Sequence, residues 1–249
     1  MSNVGSINNI SNFDYVEPET PQDAQAQYDL AVRYLVGEGV TQNDEKAIEF
    51  LQLAADQGLA IAQRNLGACY VKGEGITQDL KEAVKWFRLA ADQGLAEAQC
   101  DLGTCYVEGG GITQDFKEAV KWFRLAADQG LAEAQCSLGI CYAKGEEVTQ
   151  DFKEAVKWFR LAADQGYAKA QYNLGICYAK GEGITQDLRE AVKWLQLAAD
   201  QGDDLAQFVL GCCYGMGKGV TRDLNEAKKW LRLAADQGNA EAKELLASL

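Results

Sequence analysis

Eight cysteines, the absence of histidine and one glycine-rich run with a lysine are the features of this 249-residue sequence that bear on chemistry. Thiolates hold zinc or attack substrates in convergent sets, and the chain has neither a C-x-x-C pair nor a histidine to complete one. Cys100 and Cys105, like Cys136 and Cys141, are five residues apart, which on a helix turns the two side chains in different directions. Cys69, Cys105, Cys141, Cys177 and Cys213 each precede a tyrosine, a pattern that suits a small polarizable side chain at a helix contact. Equivalent helices of stacked units lie about 8–10 Å apart, beyond the roughly 7 Å reach of a disulfide, so reduced structural thiols are expected. The run Gly215–Thr221, GMGKGVT, lacks the G-x-x-x-x-G-K-[ST] spacing that cradles phosphates. Without histidine a Ser-His-Asp arrangement is impossible, and no S-x-x-K stands in its place. Carboxylates are plentiful but recur at equivalent positions, where several copies of a catalytic group would make no sense. The sequence therefore predicts a non-enzyme with no catalytic residues, no metal ligands and no cofactor.

A net charge of -13 and a pI near 4.5 oppose nucleic acid or anionic lipid as a partner, because binding phosphate needs a surplus of Lys and Arg. The opening residues, MSNVGSINNISNFDYVEPET, lack the basic start and apolar run of a secretory signal. No later stretch is long and apolar enough for membrane insertion. A cytoplasmic location is the expectation, with export by a route that uses no cleaved signal left open.

The elements that must position any site are announced by repetition. KEAVKWFRLAADQG occurs three times unchanged, at 81–94, 117–130 and 153–166, and Asp-Gln-Gly recurs at intervals of 36 to end at Gly58, Gly94, Gly130, Gly166, Gly202 and Gly238. This period divides the chain into a polar N-terminal segment, 1–22, and a solenoid, 23–249. The solenoid comprises repeats 23–58, 59–94, 95–130, 131–166, 167–202 and 203–238, with a partial capping helix, 239–249. Units of this size bury their apolar faces by stacking. Within repeat 59–94, Ala62, Leu66, Cys69 and Tyr70 share one side of a first helix; Ala83, Val84, Trp86, Phe87, Ala90 and Ala91 share one side of a second. Trp158 and its equivalents are expected to fill the space between the helices. Gly73 and Gly75 suit positive φ in the connecting loop, Asp79 with Glu82 reads as a capping box, and Gly94 suits a left-handed helix end. Asp92 opposes the macrodipole, so the aspartate at this position is expected to cap the start of the next repeat.

These residues, as in AEAQCDLGTCYVEGGGITQDFKEAVKWFRLAADQG, resemble the Sel1-like repeat, a relative of the tetratricopeptide repeat. Ala-x-Ala-Gln, Leu-Gly, Tyr, Gly-x-Gly, Ala, Trp and Ala-Ala-x-x-Gly recur in order over residues 23–249. Departures are Phe50 in place of Trp, Glu147 in place of the second loop glycine and Ala31 in place of the glycine after Leu30. The resemblance implies an all-α fold, a right-handed α-solenoid superhelix of helix-turn-helix repeats whose first helices line a concave groove. It also implies the role of an adaptor or scaffold, in bacterial signalling, host contact or protein quality control. A cysteine-rich branch of the family joins cysteines between the two helices of a repeat and has been linked to β-lactam binding or hydrolysis; here the second helices carry no cysteine.

Two surfaces remain. The outer side of the second helices repeats Lys85, Lys121, Lys157, Lys193 and Lys229 with Arg88, Arg124, Arg160 and Arg232, and glutamates such as Glu82 three residues away make it a solvated face of local pairs. On the first helices one arc varies between copies: Tyr28, Arg64, Cys100, Cys136, Tyr172, Phe208 at one position; Asp29, Asn65, Asp101, Ser137, Asn173, Val209 at the next; Val32, Ala68, Thr104, Ile140, Ile176, Cys212 at a third. Aromatic and aliphatic residues stand there in place of Lys and Glu, which marks a binding surface. The candidate partner-binding residues are Tyr28, Arg64, Asn65, Asp101, Ile140, Tyr172, Asn173, Ile176 and Phe208. Tyr172 and Phe208 are the expected anchors and Asn65 and Asn173 the expected bonds to a ligand backbone. The partner is a protein or peptide and the chain a monomer on this reading; a self-assembling module and a β-lactam-binding hydrolase are the alternatives.

Overall fold

A computed structural model describes residues 20–145 and 147–248. All but the last three residues of the polar N-terminal segment lie outside that range. Among the described residues there are thirteen α-helices and no strand: α1 (Ala24–Val36), α2 (Asp44–Asp56), α3 (Ala60–Lys72), α4 (Leu80–Asp92), α5 (Ala96–Glu108), α6 (Phe116–Asp128), α7 (Ala132–Lys144), α8 (Phe152–Asp164), α9 (Ala168–Lys180), α10 (Leu188–Asp200), α11 (Asp204–Met216), α12 (Leu224–Asp236) and α13 (Ala240–Ser248). Odd-numbered helices are the first, or A, helix of each repeat and even-numbered ones the second, or B, helix; α13 occupies an A position. Each helix packs chiefly on its neighbours in sequence, so the chain is an all-α solenoid. Among the described residues no helix is long and apolar enough to cross a membrane.

The helix ends follow from local chemistry. Asp79 accepts from the backbone N–H of Lys81 at 2.9 Å and of Glu82 at 3.1 Å, and its equivalents cap the later B helices in the same way. Only half of the expected capping box forms: the Asp79 N–H donates to the Tyr70 carbonyl at 3.0 Å, and Glu82 turns to Lys85. Gly73 and Gly94 take φ of 73° and 92°, as a left-handed helix end requires. The aspartate of Asp-Gln-Gly does not cap the next repeat. Helices α3, α5, α7 and α9 start after Leu59, Leu95, Leu131 and Tyr167 with no side-chain cap, and Asp56 and Asp200 accept from Gln52 and Gln196 of their own helices.

Packing within a repeat rests on a glycine opposite a large apolar side chain, Phe in the second to fourth repeats and Leu in the fifth and sixth. A Cβ on Gly139 of α7 would sit 2.7 Å from the Phe159 ring, so the missing side chain is what lets the two helices approach and enclose Phe159, 2% exposed. Trp158 does not fill this space, contrary to the sequence reading. It is half-buried and packs, with Trp122, against a cluster of Ala, Val, Phe and Leu from α4 to α7. The tryptophan thus belongs to the seam between repeats. In the first repeat Ala31 stands in the glycine's place opposite the smaller Leu51, both fully buried.

Two further contacts join the repeats. The glutamine of Ala-x-Ala-Gln is buried in all six copies. Gln135 donates to the Ala127 carbonyl at the end of the preceding B helix at 3.2 Å and accepts from Gln165 of its own repeat at 2.8 Å. The same bonds recur around Gln63, Gln99, Gln171 and Gln207. One amide thereby satisfies a helix-end carbonyl and ties three elements together. The second contact is cationic: Arg88 and Arg160 each donate to the hydroxyl of the next repeat's tyrosine, Tyr106 and Tyr178, at 2.6 Å, and Arg124 does the same to Tyr142. These arginines are seam residues, which corrects their assignment to a purely solvated face. Lys85, Lys121, Lys157, Lys193 and Lys229 do make the expected pairs with the glutamate three residues before them.

Candidate functional site: the A-helix face

The variable arc lies where successive A helices run side by side, and much of it is spent on contacts between repeats. Arg64 Nε donates to Asp101 Oδ2 at 2.7 Å, and Asn65 Nδ2 donates to the Tyr28 hydroxyl at 3.1 Å. Asn173 Nδ2 points to Cys136 Sγ at 3.9 Å and donates to the Lys169 carbonyl at 2.8 Å. Each cross-repeat pair is offset by 37 residues. The variation is therefore partly a matching of neighbours, one position of a repeat against the next position of its successor.

The expected anchors are half-buried rather than free. Tyr172 and Ile176 pack against a cluster containing Leu195, Leu210 and Trp230, and Phe208 packs against Leu231, Ala234, Ala235 and Ala242 with Leu245 and Leu246. Phe208 thus helps seat α13, and its removal carries a cost to stability that the sequence reading did not anticipate. Cys100 and Cys136, read as part of the same arc, are buried.

Where the third arc position is small, the face opens. A hollow of about 330 Å³ lies between α3 and α5 over a floor of Ala68, Val71, Leu80 and Phe87, with Arg64, Asp101, Thr104, Glu108 and Glu133 around it. A second of about 190 Å³ follows between α5 and α7, over Val107, Phe123 and Cys141 and beside Ile140. The bulkier Ile140 and Ile176 stand at the position that Ala68 and Thr104 leave open. A larger recess of about 550 Å³ on the B-helix side is lined by Lys81, Lys85, Arg88 and Leu89. The same residues recur on α6 and α8, so it distinguishes no one place along the chain.

Ion pairing and burial shift the titratable groups of this face. Burial works against the Arg64 charge, but the hydrogen bond and charge of Asp101, with Glu97 and Glu133, outweigh it and hold its pKa above the usual value. The thiols move in the unreactive direction: burial pushes Cys136 up to about 12 and Cys105 and Cys177 to about 11, and raises Cys100 as well. A thiol so shifted holds almost no thiolate near neutral pH and is a poor nucleophile. All eight cysteines are thiols and not disulfides, and among the described residues no cluster of His, Cys, Asp and Glu is placed to hold a metal ion.

The Sel1 repeat family model matches residues 24–59, 60–95, 96–131, 132–167, 168–203 and 204–239. A Sel1 repeat protein from Oxalobacter formigenes is 38% identical, with a TM-score of 0.82 over 86% of this chain and 85% of that one. A protective antigen of uropathogenic Escherichia coli displaying an SLR fold is also 38% identical, with a TM-score of 0.79 over 91% of this chain; the match spans about half, 48%, of that longer protein. An immunity protein of Pseudomonas aeruginosa, 24% identical with a TM-score of 0.57 over 91% of this chain and 85% of that one, shares the fold. No curated protein matches the chain. Six consecutive family matches, together with helix pairs that stack through the same motif residues, show that the chain belongs to the Sel1 repeat family, whose members are generally protein-interaction scaffolds.

Proposed function

We propose that the chain is a non-enzymatic scaffold that binds an extended or helical segment of another protein along its A-helix face. The observation that carries this reading is the pair of apolar-floored hollows over Phe87 and Phe123. Near-identical repeats would pack away such space if packing were all they did, and concave apolar sites with a few charged groups are how proteins hold ligands. Arg64, Asp101, Ser137 and Ile140 stand around these hollows and would set the register of the bound segment.

The test is selection of random displayed peptides on the wild-type chain, followed by binding to Thr104→Ile, which borrows the residue of Ile140 and Ile176. Selected peptides should bind the variant at least about tenfold more weakly, a change of about 1.4 kcal/mol. Peptides that bind both proteins equally would place recognition elsewhere and overturn the reading.

A further inference from the structure

We propose that the hollow between α3 and α5 takes an apolar side chain from a cationic segment, so that the partner is a basic amphipathic stretch of protein. This rests on the groove reading above and adds the chemistry of the ligand.

Hollows lie at equivalent places over Phe123, about 190 Å³, and over Leu231, about 270 Å³, and the lining of this one, at about 330 Å³, differs from theirs. Ala68 and Thr104 are small where other repeats carry Ile140 and Ile176, and Gly110 stands where other loops have Glu38, Glu74, Glu182 or Lys218. Leu80, 39% exposed much as Leu188 and Leu224 are at the same place in other repeats, lies at the edge and Phe87 at the base. An apolar side chain lowered into this hollow would cover that carbon surface.

The charge above the floor is one-sided. Glu97, Asp101 and Glu108 lie four and seven residues apart and so share one stripe of α5, and Glu133 faces them from α7. No other A helix carries three carboxylates. The two cations at the rim already have partners: Arg64 is held by Asp101 at 2.7 Å, and Lys72 by Glu74 at 3.5 Å. Glu108 and Glu133 are exposed, and among the described residues neither has a cation within ion-pair distance. The rim is therefore short of positive charge, which Lys or Arg flanking the inserted side chain would supply. The net charge of -13 extends that attraction beyond contact range.

The experiment uses the full chain and three labelled peptides of equal length in fluorescence anisotropy. One alternates Lys with Leu at helical spacing, one replaces each Lys with Glu, and one replaces each Leu with Ser. The Lys/Leu peptide should bind best and weaken as salt approaches about 0.3 M, where the Debye length shrinks. Glu108→Gln combined with Glu133→Gln, and separately Thr104→Ile, should each weaken it at least about tenfold; neither change removes a partner of the Arg64–Asp101 hydrogen bond. Better binding of the Glu/Leu peptide, still lost in Thr104→Ile, would keep the groove reading and overturn the cationic partner. Equal binding of the Lys/Ser peptide would overturn the apolar hollow, and no binding of the Lys/Leu peptide would overturn the proposal outright. Failure of the displayed-peptide selection, by contrast, would sink the groove itself.

Discussion

Glu147→Gly should stabilise the protein, although it removes a side chain and adds freedom to the unfolded chain. Glu147 has φ of 56° and is the one non-glycine residue with positive φ among those described. A Cβ in the left-handed region costs about 1–2 kcal/mol, and glycine returns about 0.4–1 kcal/mol of that through unfolded-state entropy. The surroundings add to the balance in the same direction. At the equivalent positions a Cβ on Gly111 or Gly183 would lie 2.1 Å from the carbonyl oxygen of Leu80 or Phe152, and one on Gly219 would lie 2.2 Å from that of Leu188. The loop of each repeat is thus seated on the start of the preceding B helix, which by position is Phe116 for Glu147. Restoring glycine should gain about 1 kcal/mol, while Gly183→Ala should lose about 2–4 kcal/mol once overpacking is included. Urea unfolding followed by circular dichroism gives both values, and hydrogen exchange of amides at the start of α6 locates the gain. An unchanged or lower midpoint for Glu147→Gly, or a harmless Gly183→Ala, would refute the seating of loop on helix.

Phe159→Ala should cost about 3–5 kcal/mol, more than Trp158→Ala, while Lys157→Ala leaves the urea midpoint where it was; equal effects at 158 and 159 would undo the assignment of the seam. Gln135→Ala should cost about 1–3 kcal/mol by stranding the Ala127 carbonyl, and Gln165→Ala should cost less because that residue is exposed and has a second acceptor in the Leu161 carbonyl; the reverse order in denaturant melts would count against the glutamine ladder. Burial keeps Cys136 protonated to about pH 12 in the folded chain, while an unfolded thiol ionises near 8.5. Its contribution is therefore fully present below about pH 8.5 and is lost as pH rises toward the folded value, at about 1.4 kcal/mol per pH unit. Stability measured from pH 8 to 10 should fall less steeply in Cys136→Ala, and parallel slopes would contradict the burial effect.

Features fixed within a few residues were legible in the sequence. The period of 36, the aspartate caps, the left-handed glycines and the Lys–Glu pairs three apart all depend on local geometry. Features that depend on how one repeat sits on the next were not. Gln135 reaches the Ala127 carbonyl of the preceding repeat and Arg160 reaches Tyr178 of the next, and in both cases the partners lie on different helices, which a single-helix reading does not relate. Trp158 and Phe159 are adjacent in sequence, and only the glycine opposite decides which of them enters the hairpin. In the candidate site, Arg64 and Asp101 were picked out as separate variable residues, whereas their meaning lies in the pair. The hollow was hidden because it is made by what Ala68, Thr104 and Gly110 lack. The signal was present in the column that runs Val32, Ala68, Thr104, Ile140, Ile176, Cys212, where side-chain volume falls at Ala68, rises to the isoleucines and falls again at Cys212.

The arginine–tyrosine links do not run the length of the chain. At the first seam Gln52 stands in the arginine's place and turns to Asp56, and at the fifth Gln196 turns to Asp200, so Tyr70 and Tyr214 receive no such bond. A solenoid held by nearest-neighbour contacts comes apart where its joints are weakest. The two terminal repeats should therefore detach before the four between them, which would persist as one cooperative block from about residue 59 to 202. That block contains both hollows, and a proteolytic fragment trimmed to it would be the smallest piece of this protein expected to keep its ligand.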